Sequence, residues 1–230
     1  FAKNNVALKD IVLGYESGSG AKYIVGHQKQ PYSLALEMSS NDLPFVERGV
    51  DNALVAALTD RAIGFRYENS GSNWFFAGGV FGDTLKEGTT TGDEGWGPSG
   101  RLIYSPIIED DKVLHLGIRA AYREVDLATP TLSIKDKTTD FSELNIVNTG
   151  ALANAESATL FGPEIAAAVG PLFFTAEHTT TEISRKAGST LNFSSWNAAA
   201  SWNITGESRI RLQNRWGRVQ GYSTSQRLQS

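Results

Sequence analysis

The chain has 230 residues, with 23 Gly, no Cys, a single Met, 10 % aromatic and 20 % charged side chains, and a formal net charge of −4. Without Cys, disulfide frameworks, Cys-based zinc sites and thiol catalysis are excluded, and a weakly acidic chain with no basic tail offers no footprint for nucleic acid. A run of about 18 apolar residues is absent, which excludes a membrane-spanning helix but not a transmembrane barrel, whose strands need only about 10 alternating residues.

The chain opens at Phe1 without an initiator Met or a signal-peptide pattern, as expected of a mature product or an internal fragment. Segments 5–15 and 21–29 are predicted to form a hairpin through Ser17-Gly18-Ser19-Gly20. That run has the flavour of a phosphate loop but lacks its spacing and the Ser/Thr after Lys22. A long segment, 30–61, follows; within it Leu43, Val46, Val50 and Leu54 recur at helical spacing and predict a short helix in 43–58.

From Ala62 onward, strands are predicted near 62–68, 73–82, 99–107, 112–124, 157–169, 171–182, 192–204 and 208–219, about ten in all with the first hairpin. Short turns, Asn69-Ser70-Gly71-Ser72, Glu109-Asp110-Asp111, Gly170-Pro171 and Gly206-Glu207, alternate with long polar connections at 83–98, 125–156 and 183–191. Short turns at one end and long loops at the other are the pattern of an outer-membrane barrel.

Alternation inside the strands assigns their faces. In 112–124, Leu114, Leu116, Ile118, Ala120 and Tyr122 share one face, against His115, Gly117, Arg119, Ala121 and Arg123 on the other. The 196–204 stretch sets Trp196, Ala198, Ala200, Trp202 and Ile204 against Asn197, Ala199, Ser201 and Asn203, and 209–216 sets Ile210, Leu212 and Trp216, interrupted by Asn214, against Arg209, Arg211, Gln213 and Arg215. Stretches of 10–13 residues exceed the usual 5 or 6 of globular sheets and match a tilted membrane crossing. Trp74, Trp96, Trp196, Trp202 and Trp216 lie near several predicted strand ends, where aromatic girdles form; in a soluble β protein they would be core instead. The expected fold is all-β, an antiparallel transmembrane β-barrel forming a single domain over 1–230. A soluble β-sandwich binding module, using exposed aromatics such as Trp96, is the alternative of a different class.

Several spaced blocks between about residues 21 and 219 carry a resemblance: Gly26-His27-Gln28-Lys29-Gln30-Pro31-Tyr32-Ser33-Leu34, then Ser39-Ser40-Asn41-Asp42-Leu43-Pro44-Phe45-Val46-Glu47-Arg48, Gly162-Pro163-Glu164 with Gly170-Pro171-Leu172, and Trp202-Asn203-Ile204-Thr205-Gly206-Glu207-Ser208-Arg209. Together they resemble the phosphate-selective porin O and P family of Gram-negative outer membranes, with Tyr32, Leu43 and Ile204 replacing commoner family choices. The resemblance implies an integral outer-membrane protein that passes inorganic phosphate or similar anions without a cofactor and without catalysis, contacts outer-membrane lipids and assembles as a homotrimer. It also implies 16 strands and a terminal aromatic residue. About ten strands and the ending Gln226-Arg227-Leu228-Gln229-Ser230 therefore lead to the expectation of a partial barrel.

By alternation Arg66, Arg101, Arg119, Arg123, Arg209, Arg211 and Arg215 face the lumen against Glu68, Glu164 and Glu177, an expected excess of +4 on a chain of −4. Guanidinium groups hold their charge at any physiological pH and grip phosphate oxygens through two parallel hydrogen bonds, so a row of them suits an anion path. The plainer expectation is that they pair with carboxylates and solvate a polar wall. Lys29 and Arg48 flank 30–61, which the resemblance makes the segment expected to fold inward and constrict the pore; by itself it reads as a surface loop with solvated charges. Glu164 and Glu177 on adjacent strands have the look of a glycosidase pair but fit better as partners of arginine, and His27, His115 and His178 are too spread for a metal. A general-diffusion porin is the nearer functional alternative.

Overall fold

The computed structural model describes residues 9–38, 43, 45, 47–83, 95–125, 131–137, 144–206, 210–213 and 218–221, the last two stretches as backbone. In chain order the elements are β1 (Ile11–Glu16), β2 (Lys22–Lys29), α1 (Leu34–Glu37), α2 (Asn52–Thr59), β3 (Arg61–Ser70), β4 (Trp74–Phe81), β5 (Gly97–Ile108) and β6 (Lys112–Glu124), then the short β7 (Thr131–Leu132), β8 (Lys135–Lys137), β9 (Asn145–Asn148) and β10 (Leu152–Ala153). They continue with β11 (Ala155–Val169), β12 (Leu172–Arg185), β13 (Leu191–Trp202), β14 (Ile210–Gln213) and β15 (Arg218–Gly221). Nine strands form one sheet in the order β1-β2-β3-β4-β5-β6-β11-β12-β13, each antiparallel to the next.

This up-and-down order puts every tight turn at one end of the sheet and every long connection at the other. Ser17-Gly18-Ser19-Gly20 is a hairpin turn, closed by Ser17 N to Ala21 O at 2.8 Å, and Gly20 takes φ +84, a conformation that favours glycine. Gly170, at φ +52, turns β11 into β12 in the same way. The flanking strands of the 30–60 connection, of the one that starts at 82 and of the one between β6 and β11 all end and begin at the opposite end.

Three expectations change in the structure. The helix within 43–58 is shorter and later than its spacing predicts: it starts after Gly49-Val50-Asp51 and buries Ala53, Leu54, Val55 and Leu58. The 125–156 connection carries two small ribbons, β7 with β10 and β8 with β9, because its Ile134, Leu132 and Leu152 have an apolar surface to pack on. The described parts of 208–219 are β14 and the start of β15, paired with each other as Ile210↔Gly221 through Gln213↔Arg218, rather than one strand of the main sheet.

The two faces of the sheet differ as the alternation requires. Leu116, Ile118 and Tyr122 of β6, Phe161 of β11, Phe174 of β12, and Trp196 and Trp202 of β13 lie on an open, apolar face. Trp74 begins β4 and Trp202 ends β13, whereas Trp196 stands mid-strand and Trp216 lies outside the described residues. On that face Tyr15, Tyr23, Tyr67 and Phe76 form a ladder of ring contacts with centroids 5.4–6.3 Å apart across β1–β4.

The opposite face is covered by the 30–60 segment, a strap that leaves the sheet at the end of β2 and rejoins it at the start of β3, where Lys29 and Arg61 are paired. Toward the tight-turn end, Leu34 and Met38 of the strap pack on Val113, Ala166, Ala168 and Phe173. Toward the long-loop end, α2 packs on Ala121, Ala158, Leu160 and Ile183 together with Ile134. Between these two apolar tiers runs a belt of charged side chains.

Candidate functional site: the charged belt under the strap

The belt follows from strand register. Arg101 of β5 and Arg119 of β6 are direct cross-strand partners, and Arg119 pairs in turn with Gly162 of β11. Two residues along, the next row reads Gly117, Glu164, Glu177 and Asn197 across β6, β11, β12 and β13. Like charges stand side by side within each row, which alone is unfavourable. The rows are adjacent, however, so opposite charges meet on the diagonal. Arg101 donates from Nε to Glu164 Oε1 at 3.0 Å, His115 Nε2 lies 2.8 Å from the same oxygen, and Arg119 Nη1 donates to Oε2 at 3.3 Å. The Arg101 and Glu164 side chains are completely buried, where a charge is tolerable only with such partners. Gly117 makes room, because a Cβ there would come within 2.6 Å of Glu164 Cγ.

Glu177 connects this belt to the strap. Arg119 Nη1 pairs with its Oε2, Ser33 Oγ donates to the same oxygen at 2.9 Å, and Ala35 N donates to Oε1 at 2.8 Å. Free N–H groups of a first helical turn and a carboxylate are natural partners. Arg119 also donates from Nη2 to Thr179 Oγ1 at 2.9 Å, and its guanidinium lies 5.1 Å from the centre of the Tyr32 ring, a cation–π contact.

At its other end α1 is pinned by Glu37, which accepts from Arg66 Nη1 at 3.1 Å and Nη2 at 2.8 Å; Glu68 of β3 shares Nη2 at 2.6 Å. Lys29 donates from Nζ to the carbonyls of Leu36 and Met38, and Arg48 from Nε to Ala35 O at 2.7 Å and from Nη2 to Met38 O at 2.9 Å. The carbonyls that one helical turn leaves unpaired thus take up both flanking cations. Desolvation lowers the Arg48 pKa from its ordinary value. Asn197 Nδ2 donates to Asp51 Oδ1 at 2.9 Å, and a Cβ on Gly49 would collide with that amide, so glycine is what lets the strap come this close to β13.

A model of the phosphate-selective porin O and P family matches residues 1–222. The chain belongs to that family. Among curated proteins none matches it. One nine-stranded sheet covered by a strap, in place of two packed sheets, sets aside the sandwich alternative for this porin.

The arginines predicted from the porin's sequence fall into three groups. Arg66, Arg101 and Arg119 lie on the covered face, buried and ion-paired. Arg123 sits at the long-loop end, donating to Gly82 O at 2.6 Å and pairing with Asp83, so it ties the end of β6 to the connection after β4. Arg209 and Arg215 lie outside the described residues, and Arg211 is placed by its backbone in β14 opposite Gln220. Lys29 and Arg48 are brought together at the end of α1 rather than left as solvated loop charges.

The sequence count of lumen charge omitted Glu37, Asp51 and Asp83, which stand off the strands, so strand parity could not reveal them. With these included, the cations Arg66, Arg101, Arg119, Arg123, Lys29 and Arg48 face the carboxylates Glu37, Glu68, Glu164, Glu177, Asp51 and Asp83. Arg209, Arg211 and Arg215 have no described side chain, so the residues of the sequence count that can be compared give four arginines against three glutamates, +1, and the added groups bring this described set to six against six. A signal that could have found the strap contact is Ser33 just ahead of Leu34-Ala35-Leu36-Glu37, an N-cap residue before a helical run. Glu164 and Glu177 each receive several donors, which fits partners of arginine rather than an acid–base pair.

Proposed function

We propose that this porin sits in the bacterial outer membrane and passes phosphate-like anions by passive diffusion, performing no chemistry. In this reading the open apolar face meets lipid or a neighbouring protomer of a homotrimer, and the covered face lines the lumen, with the strap as its constriction. Arg66, Arg101, Arg119, Arg123, Arg209, Arg211 and Arg215 form the anion path, and Lys29 and Arg48 hold the constriction in shape. The observation that carries it is the register of the belt: guanidinium groups on adjacent strands, facing away from an apolar surface, in a chain of the phosphate-selective porin family. Guanidinium is the side chain whose planar fork matches phosphate oxygens.

The balance of six cations and six carboxylates in this set of described side chains favours a second reading, a general-diffusion porin with weak charge preference. One measurement separates the two: the reversal potential of the full-length channel across a planar bilayer under a KCl gradient, at low and high salt. Anion preference that weakens with salt, and that falls when Arg119, Arg209 and Arg211 are changed to Glu, supports the phosphate reading. Preference near zero at low salt supports general diffusion.

A further inference from the structure

Arg66 is held by two carboxylates, Glu68 from the wall and Glu37 from the strap. Glu37 meets it in a fork, Nη1 to Oε1 at 3.1 Å and Nη2 to Oε2 at 2.8 Å, with both side chains buried. That two-point geometry is the one by which guanidinium grips a phosphate group. The strap carrying Glu37 is also fastened to the sheet by the two apolar tiers and by polar contacts at separate points: Glu177 on Ser33 and Ala35, Arg119 against Tyr32, and Asn197 on Asp51.

We propose that Glu37 is a tethered competitor for the permeating anion, an autoinhibitory contact in which the docked strap occupies in cis the guanidinium position an oxyanion would take. The inference rests on the anion-channel reading above and deepens it. Removing one partner of a buried pair strands the other charge and is strongly unfavourable. Exchanging one anion for another is not, because Arg66 remains compensated throughout, and Glu68 stays on it from the wall during the exchange. An oxyanion in the lumen therefore works with strap release, whereas chloride, which cannot make the fork, works with it far less.

The test uses inorganic phosphate as a blocker of chloride current through the full-length channel in planar bilayers. Glu37→Gln keeps the size and one acceptor but loses the carboxylate charge and the second acceptor of the fork, so the half-blocking phosphate concentration should fall about ten-fold. A second variant pins the strap: Gly49→Cys with Asn197→Cys, positions in direct contact in a chain with no cysteine of its own. Oxidised, it should need about ten-fold more phosphate for half block than after reduction with dithiothreitol. Half block by E37Q within two-fold of the parent, in a channel that prefers anions, overturns the proposal and leaves the channel reading standing. A parent channel without anion preference overturns the channel reading first and the proposal with it. Should E37Q not assemble, the double-cysteine channel decides alone, and equal block in its oxidised and reduced forms overturns the proposal.

Discussion

Arg101 and Arg119 are direct cross-strand partners, a like-charged pair that the covered face sustains because the Glu164 carboxylate of β11 reaches both guanidinium groups. Glu164 is therefore the keystone of the belt, and its charge matters more than its shape. Glu164→Gln should cost about 3–5 kcal/mol, the scale for stranding a buried charge. Adding Arg101→Met to Glu164→Gln should recover part of that loss. Unfolding of the detergent-solubilised protein, followed by heat-dependent gel mobility, gives the ranking; a double variant less stable than the single one would contradict it.

Gly162, beside Arg119 in the register, has no room for a side chain, because a Cβ there would run into the His178 carbonyl of β12. Gly162→Ala should therefore destabilise by about 1–3 kcal/mol, the scale of overpacking. At Gly100 on β5 the nearest atom to an added Cβ is Ala77 O at 3.4 Å, ordinary contact, and Gly100→Ala should be close to neutral. The same unfolding measurement on both variants checks the difference.

Burial raises the Asp51 carboxyl pKa above its ordinary 3.8, against a smaller lowering by the Asn197 amide. A carboxyl with a raised folded-state pKa contributes stability that is present below its unfolded value and lost as pH rises through the folded value. The strap should thus lose Asp51-dependent stability as pH rises from about 3.8 upward. Asp51→Asn lacks the titration, so its stability relative to the parent should increase across that window. A difference between the two unfolding midpoints that stays constant with pH would show that Asp51 does not titrate this way.

Every tight turn lies at one end of the sheet and every long connection at the other, and in the membrane the long end should face outward. Single cysteines at Asp136 and Lys186 should react on whole cells with a membrane-impermeant maleimide. Cysteines at Ser70 and Asp110 should react only after the envelope is broken. Labelling in the reverse order would invert the topology.

Strand periodicity by itself determined most of the fold of this protein. A β-strand turns its side chains over every residue, so Leu116, Ile118 and Tyr122 had to share one face and His115, Arg119 and Ala121 the other. The turn chemistry of Gly20 and Gly170 likewise marked where the chain reverses. Partnership was a different matter. Whether Arg66 and Arg119 stand free in a lumen or are neutralised depends on Glu37, Ser33 and Tyr32, which arrive from a part of the strap that no strand period reaches. Alternation assigns a face but not what covers it, and the balance of charge on that face was decided only when the strap folded back across β3, β6, β12 and β13.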